Sequence, residues 1–561
     1  MKPTLMSVAF LTLFLAAPGA LAQDAKVIAI TDEASATPGM AVVSDYHGPL
    51  PPDNPRNGDI PQMPGWPTSM GAAGNFSPSR GLVFADLNLD GYLEIITSST
   101  DNKVYAWDYT GTPVAGFPVT TIQMAQYAPS VADLDGDGDM EIVQFTRGMT
   151  SGGRLYIIDH EGNVLPGFPK SVNNNNLASC PTLYDLDDDG VMEIIAGERA
   201  YPIGYLHIFE IDASEWGGNW PVALDHVPTG TAAVGDVDAD GAVEIFYMSY
   251  NSMYLLELDG TPLPGWPKQI ANCNFSYQSA ALADLDGDGD LEIVVGAHKD
   301  AAGCYVFHHD GTGYPGWPKY FGTWSYGPPT VTDLEGDGEL EIIDGRAGVF
   351  GDPNSGAFWA WTSAGVAKPG FPYRPTPGYG GGSDGPYTVA DINGDGLMEI
   401  FADHNIMESE PQQGYLFGVD SSGNDLPGFP LRPRGFTYMN GATIGDVDGD
   451  GDYELGVLST RDYAVDVNLY DLPDAYVTTG RDWKVYHGCN SRGGLYPVPS
   501  PCPGDIDGDG DTDHSDLGEL LSAWGTQPGD PDWNENADLD GDGEVGHSDL
   551  GILLADWGCG T

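Results

Sequence analysis

Apolar residues along this chain recur in short alternating or continuous runs, not at helical spacing. VYAWD (104–108), LYIID (155–159) and MYLLEL (253–258) are examples, and such runs, bounded by Gly, Asp and Asn, predict strands buried on one or both faces. Before each run stands an acidic loop, as in VADLDGDGDMEIV (131–143), whose Ile142 and Val143 begin a further strand. The unit of the chain is therefore an acidic loop joining two strands, followed by a turn and another strand.

This unit repeats. The acidic loops start at Asp86, Asp133, Asp185, Asp236, Asp284, Asp333, Asp391 and Asp446, at intervals of 47 to 58 residues. A strand-rich period of that length predicts propeller blades. A Gly-aromatic-Pro motif keeps step, at Trp66, Phe117, Phe168, Trp266, Trp317, Phe371 and Phe429, with Asn219-Trp220-Pro221 as a variant. Each cycle supplies about four strands, so the expected fold is mainly β, an eight-bladed β-propeller of four-stranded blades, with seven blades as the alternative. Each motif aromatic either fills the wedge between neighbouring blades or offers a sugar-stacking platform. Trp483, in RDWKVYHGCNSRGGLY (481–496), falls where a ninth aromatic is expected, so this segment and that of Trp66 are expected to meet and close the ring, removing an exposed sheet edge.

Oxygen ligands at positions 1, 3, 5 and 9 of each loop, with Gly at 6 allowing the sharp turn, are what a Ca²⁺ site needs. The sets are Asp86, Asn88, Asp90, Glu94; Asp133, Asp135, Asp137, Glu141; Asp185, Asp187, Asp189, Glu193; and Asp236, Asp238, Asp240, Glu244. They continue with Asp284, Asp286, Asp288, Glu292; Asp333, Glu335, Asp337, Glu341; Asp391, Asn393, Asp395, Glu399; and Asp446, Asp448, Asp450, Glu454. Asn88 and Asn393 lose a charge and predict weaker sites. Glu335 is one methylene longer and predicts a distorted one.

The stretch ADLDGDGDLEIVVG (283–296) resembles the FG-GAP or VCBS repeat, a propeller blade also found in integrin α-chain heads. The resemblance spans roughly residues 61–496. It implies structural Ca²⁺ between the first two strands of each blade, ligand binding on the opposite face, and an extracellular binding or adhesion role.

Met1 to Ala22 has Lys2, an apolar run from Leu5 to Ala17 and a small-residue end, which reads as a secretory signal peptide (1–22). The protein is thus expected to be secreted, free or attached at the cell surface, without membrane insertion. Residues 23–60 form an irregular lead-in. The formal net charge is −62 over 561 residues, concentrated in the loops. Ten divalent ions would reduce it to roughly −42, which still argues against nucleic acid as a partner.

A Pro-rich linker (497–503) leads to a last unit at 504–561. There DIDGDGDTDHSD and DLDGDGEVGHSD place Asp505, Asp507, Asp509, Asp516 and Asp538, Asp540, Asp542, Asp549 at positions 1, 3, 5 and 12 of two EF-hand-type loops. Each runs into an amphipathic helix, LGELLSAWG or LGILLADWG. Cys502 and Cys559 bracket the unit and are the favoured disulfide. Cys273 with Cys304 is a weaker pairing, and Cys180 and Cys489 have no assigned partner. The unit resembles a dockerin, of the variety ending in Gly-Cys, which implies a cohesin-like or cell-surface anchor met through His514, Ser515, His547 and Ser548. Those histidines are otherwise only exposed polar residues at helix starts.

No GxSxG, HExxH or comparable constellation is present. A non-catalytic binding module for polysaccharide or an extracellular protein is the first reading. The alternative is a polysaccharide-degrading lyase or hydrolase on an eight-bladed propeller, which rests on fold analogy. Lys103, Arg147, Arg199, Lys299, Arg346 and Arg461 follow the strand after an acidic loop, with His298 and His404 beside some. They make either a basic ring for acidic polysaccharide, with Trp324, Tyr326 and Tyr379 as stacking surfaces, or an ordinary set of exposed loop charges.

Overall fold

The computed structural model describes the strands Val27–Thr31 and Pro38–Val42, residues 60–72, and 81–496 apart from short stretches of which 347–357 is the longest. In the C-terminal unit it describes residues 506, 512, 514–527, 534, 537, 539 and 545–555. The expected signal peptide and linker, Cys502, Cys559 and loop positions 505, 507, 509, 538, 540 and 542 lie outside the described residues, as do Trp324 and Tyr379.

Among the described residues, the eight acidic loops fall in eight separate antiparallel sheets. In each, an inner strand leads into the loop and the loop's Glu stands at or near the start of the second strand, as Ser130–Ala132 leads to Glu141–Phe145. A third strand pairs antiparallel with the second, here Leu155–Ile158. The expected fourth strand is short where it exists, as at Val119–Thr120. In the sheets of loops 133, 236, 333 and 391 it shrinks to one bridge, at Leu155↔Lys170, Met253↔Lys268, Phe358↔Tyr373 and Leu416↔Leu431.

Hydroxyl side chains three residues before the loop Asp join one sheet to the next. Ser130 Oγ donates to Pro181 O (2.7 Å), Thr182 Oγ1 to Ala232 O (3.0 Å), Thr330 Oγ1 to Tyr387 O (2.9 Å) and Thr388 Oγ1 to Ala442 O (2.9 Å). Thr443 Oγ1 donates to Leu82 O (3.0 Å), which joins the last sheet to the first and closes the ring. Buried inner-strand hydroxyls must be paired, and here their partners are carbonyls of the neighbouring sheet.

The motif aromatics fill the wedges between sheets. Trp66 Nε1 donates to Tyr109 O (2.7 Å), Trp220 to Leu258 O (2.7 Å), Trp266 to His309 O (2.7 Å) and Trp317 to Ser363 O (2.8 Å), each on the following sheet. The Gly before the aromatic lets that sheet's turn approach: a Cβ at Gly265 would lie 2.1 Å from Asp310 O.

The ring closes differently from the sequence expectation. The strand after Trp66, Thr68–Gly71, completes the last sheet by pairing with Ala464–Ala475. Trp483 is not a ninth wedge aromatic. It is buried at the ring's centre and bridges Val389.

The whole segment 481–496 runs along the inner strands. Val389 N–H donates to Trp483 O (3.0 Å), Ile444 N–H to Lys484 O (2.9 Å), Val131 N–H to Asn490 O (3.2 Å) and Leu183 N–H to Ser491 O (2.9 Å). Val234 N–H donates to Gly493 O (3.0 Å) and Leu282 N–H to Gly494 O (2.9 Å), while Asn490 Nδ2 reaches Phe84 O (2.8 Å) and Arg481 Nη1 reaches Asp333 O (3.0 Å). One segment thus bonds to all eight sheets. Inner strands in a closed ring leave N–H groups facing the centre, and a segment that satisfies them removes a desolvation cost. Trp483, Tyr486, His487 and Arg492 are fully buried there. Tyr486 OH pairs with Ser279 Oγ (2.8 Å) and Thr231 Oγ1 (3.0 Å).

Cys273 and Cys304 are both free. Cys273 Sγ lies against Tyr305 OH (3.7 Å), and Tyr305 neighbours Cys304 on the strand Gly303–Phe307. Successive strand side chains point to opposite faces, so the two sulfurs lie on opposite sides of the sheet. Cys180 and Cys489 also form no disulfide among the described residues.

In the C-terminal unit, α1 (His514–Ser522) and α2 (His547–Ala555) pack through Leu520, Ala523 and Leu553 with Ile506, Ala537 and Val545. Asp516 and Asp549 are buried, and accept N–H bonds from Ile506 (2.6 Å) and Gly546 (2.6 Å).

Candidate metal centres

One hydrogen-bond scheme serves all eight acidic loops of the ring. The position-1 Asp accepts the N–H of the position-6 Gly, from 2.8 Å at Asp86, Asp133 and Asp185 to 3.2 Å at Asp446. The position-9 Glu turns one oxygen back to the N–H after the first Asp: Leu134 to Glu141 Oε2 is 3.0 Å, Val237 to Glu244 is 2.7 Å and Val447 to Glu454 is 2.7 Å. The other Glu oxygen faces the loop's interior. All eight of these glutamates are buried.

Burial dominates their electrostatics. It raises Glu94, Glu141, Glu193 and Glu244 to about 7, Glu292 and Glu399 to about 8 and Glu454 to about 9, against the opposing loop N–H bond and with help from neighbouring Asp carboxylates. Buried carboxylates clustered without a counter-charge are the environment a hard divalent cation relieves.

The donor geometry fits such an ion at several loops. Ligand oxygens of Asp133, Asp135 and Glu141 lie within 4.8 Å of one another, as do those of Asp185, Asp187 and Glu193, of Asp236, Asp238 and Asp240, and of Asp284, Asp286 and Asp288. Glu244 Oε1, Asp238 Oδ1 and Asp448 Oδ1 are buried with no hydrogen-bond partner, as expected of atoms awaiting a cation.

Other loops differ. Asn88 Nδ2 donates to Glu94 Oε1 and Asn393 Nδ2 to Glu399 Oε1, both at 2.9 Å. In these two the amide answers the free Glu oxygen, so the Asn takes more than a charge from the site. His308 Nδ1 meets Glu292 Oε1 at 2.8 Å and clusters with Asp286. At loop 333–341, Lys368 Nζ lies 2.5 Å from Glu335 Oε2 and 2.7 Å from Glu341 Oε1. Burial raises Glu341 and the Lys368 ammonium opposes it; Lys368 itself is raised, because its two carboxylate bonds outweigh burial. His308 and Lys368 lie outside the DxDxDG spacing, so the loop pattern alone did not reveal them.

The basic positions lie at the end of the second strand remote from the acidic loop: Lys299 ends Glu292–Lys299, and Arg346 follows Glu341–Gly345. At about 3.3 Å per residue this is roughly 20 Å away. Among the described residues these side chains are partly engaged by the protein itself. Arg147, Arg199 and Arg346 are half-buried, Arg346 Nη1 is bonded to Phe321 O (3.1 Å), and Lys103 is 3.9 Å from Asp101. His298, His404 and Tyr326 are buried, and burial lowers His404 to about 3, so it is neutral. Tyr326 packs on His298 with ring centroids 4.7 Å apart, so it is no exposed stacking surface.

On the C-terminal unit His514 and Ser515 of α1 and His547 of α2 are exposed at matching helix starts, which the repeated HSD sequence requires. His547 lies edge-on to Trp524 at 5.0 Å, so it packs against the other half-unit. The side chain of Ser548 lies outside the described residues.

The FG-GAP-like repeat family matches residues 86–143 and 236–295, and the dockerin type I domain family matches residues 503–555. The chain thus carries FG-GAP-like repeats within its array of β-sheets and a region matching the dockerin type I domain. These two families point to an extracellular or cell-surface protein, and a dockerin implies a cohesin-like partner. No helix among the described residues is long and apolar enough to cross a membrane. A search of curated proteins finds no match. Among solved structures the chain is similar to the V. cholerae biofilm matrix protein Bap1, at 15% identity and TM-score 0.49, covering 76% of this chain and 94% of that one. It is also similar to a quinohemoprotein alcohol dehydrogenase from Comamonas testosteroni, at 12% identity and TM-score 0.46, covering 77% and 80%. Neither likeness bears on ligand or activity.

Proposed function

We propose that this protein is a Ca²⁺-stabilised, eight-bladed propeller that acts as a non-catalytic extracellular binding module, tethered by its dockerin domain. What carries this reading is that the ring's acidic groups hold its own strands together, while the same chain ends in a dockerin. Ca²⁺ bound at loops 133–141, 185–193, 236–244, 284–292 and 446–454 would cross-link inner and second strands and neutralise buried carboxylates. The EF-hand-type loops around Asp516 and Asp549 would take two more ions. His514, Ser515, His547 and Ser548 are the proposed contacts to a cohesin-like or surface anchor.

The ligand class that suits the face remote from the acidic loops is acidic polysaccharide, through Arg147, Arg199 and Arg346. Segment 481–496 occupies the inner strands and leaves the rim loops as the accessible surface. The test is a polysaccharide array in Ca²⁺ with product analysis. Retention without cleavage supports a binding module, and retention lost on charge reversal at the three arginines assigns the face. Depolymerised product would overturn the non-catalytic reading.

A further inference from the structure

We propose that loop 333–341 holds no metal ion and that the ammonium of Lys368 takes the ion's place. The inference rests on the reading that the other acidic loops bind Ca²⁺. Lys368 Nζ contacts Glu341 Oε1 at 2.7 Å, the oxygen that the loop scheme leaves facing the interior, and Glu335 Oε2 at 2.5 Å. Those are the position-9 and position-3 ligands. A cation placed between them would stand against a buried positive charge, at a Coulomb cost that low local dielectric enlarges.

The substitution is built into the blade. Lys368 occupies a fixed place in the turn before the motif aromatic, where its N–H meets Ala360 O (2.9 Å) and its carbonyl receives the Phe371 N–H (3.1 Å). The same two bonds identify Val114, Leu165, Leu263, Tyr314 and Leu426 in other sheets. All five are uncharged, and Leu263 and Tyr314 are buried against the core. The one lysine in this series occurs in the sheet whose loop alone has Glu at position 3. The extra methylene carries the Glu335 carboxylate outward to the ammonium. A second cation sits on the same loop: Arg481 Nη1 is 3.0 Å from Asp333 O and 4.0 Å from Asp333 Oδ1. Among the described residues no lysine or arginine pairs with a carboxylate of loop 133–141.

The test counts bound Ca²⁺ by native mass spectrometry on the full secreted chain. Glu341→Gln should bind as many ions as wild type, Glu141→Gln one fewer, and Lys368→Met one more. Anomalous scattering from wild-type crystals grown in Ca²⁺ supplies a readout independent of variant folding, with a peak expected at loop 133–141 and none between Glu335 and Glu341. A peak there, or loss of an ion in Glu341→Gln, would overturn the proposal. Absence of the peak at loop 133–141 would overturn the calcium reading, and this proposal with it.

Discussion

Loops 133–141 and 333–341 share length, turn geometry and hydrogen-bond scheme, yet they balance their charge by different means. In the first, Asp133, Asp135 and Glu141 converge within 4.8 Å, and the loop's basic neighbour is His160, 3.4 Å from Asp139, not a lysine or arginine on the ligand positions. In the second, Lys368 bridges two of the ligand positions and Arg481 caps a third. The backbone of the loop is therefore specified by Asp at position 1, Gly at 6 and Glu at 9, whatever neutralises it. What the neutralising charge decides is whether stability depends on the calcium concentration or is built into the chain.

Chelation should have the largest effect. An ion that binds only the folded state contributes about 2.7 kcal/mol at a hundredfold excess over Kd, so losing several at once should lower the melting temperature steeply. A calorimetric scan in EDTA, then in restored Ca²⁺, measures this; identical scans would remove the calcium reading from every loop.

Single loops separate next. Glu141→Gln should cost about 2–3 kcal/mol in Ca²⁺ and much less in EDTA, because most of the loss is bound ion. Glu341→Gln should cost about 1–3 kcal/mol in both, because it leaves an ammonium short of a partner. Urea titrations in the two buffers give the four numbers, and equal calcium dependence in both variants would erase the contrast.

Proton linkage should give a smaller signature. Glu141, Glu193 and Glu244 are raised by burial from 4.5 to about 7 without metal. A carboxyl raised on folding favours the fold while protonated, so its contribution is full below pH 4.5 and lost as pH rises to about 7. In EDTA the protein should therefore melt higher at pH 5 than at pH 8, and in Ca²⁺ the order should reverse, since protons and the ion compete for the same oxygens. A profile unchanged by Ca²⁺ would show that these glutamates are not ligands.

The smallest effect concerns the central segment. Tyr486→Phe deletes the bonds to Ser279 and Thr231 and should cost about 1 kcal/mol, without any dependence on Ca²⁺. A calcium-dependent loss would mean that the segment and the loops act as one unit.

Much was legible in the residues because it is local. An Asp at position 1 must meet the Gly N–H five residues on, and an aromatic between Gly and Pro recurs once per blade, so spacing alone located the loops, wedge aromatics and strands. A Ser or Thr stands three residues before the loop Asp at five of the eight loops, with Val83, Ala233 and Ala281 at the others, so its role as a link between sheets was only partly legible. Lys368 was visible as the one charged residue in an otherwise uncharged series, three positions before the motif aromatic. Its meaning required knowing that this position faces Glu341, 27 residues away in sequence.

The sequence by itself determined the repeating blade, the acidic loops and the separate C-terminal unit, since each depends on contacts within a few residues. Only the tertiary structure decided how the ring closes, with Thr68–Gly71 pairing Ala464–Ala475. It also decided that Trp483 belongs to a segment bonded to every sheet and that His298, His404 and Tyr326 are buried. These features join residues that lie tens to hundreds of positions apart, and no local spacing encodes which inner-strand N–H or loop carboxylate a distant segment will satisfy.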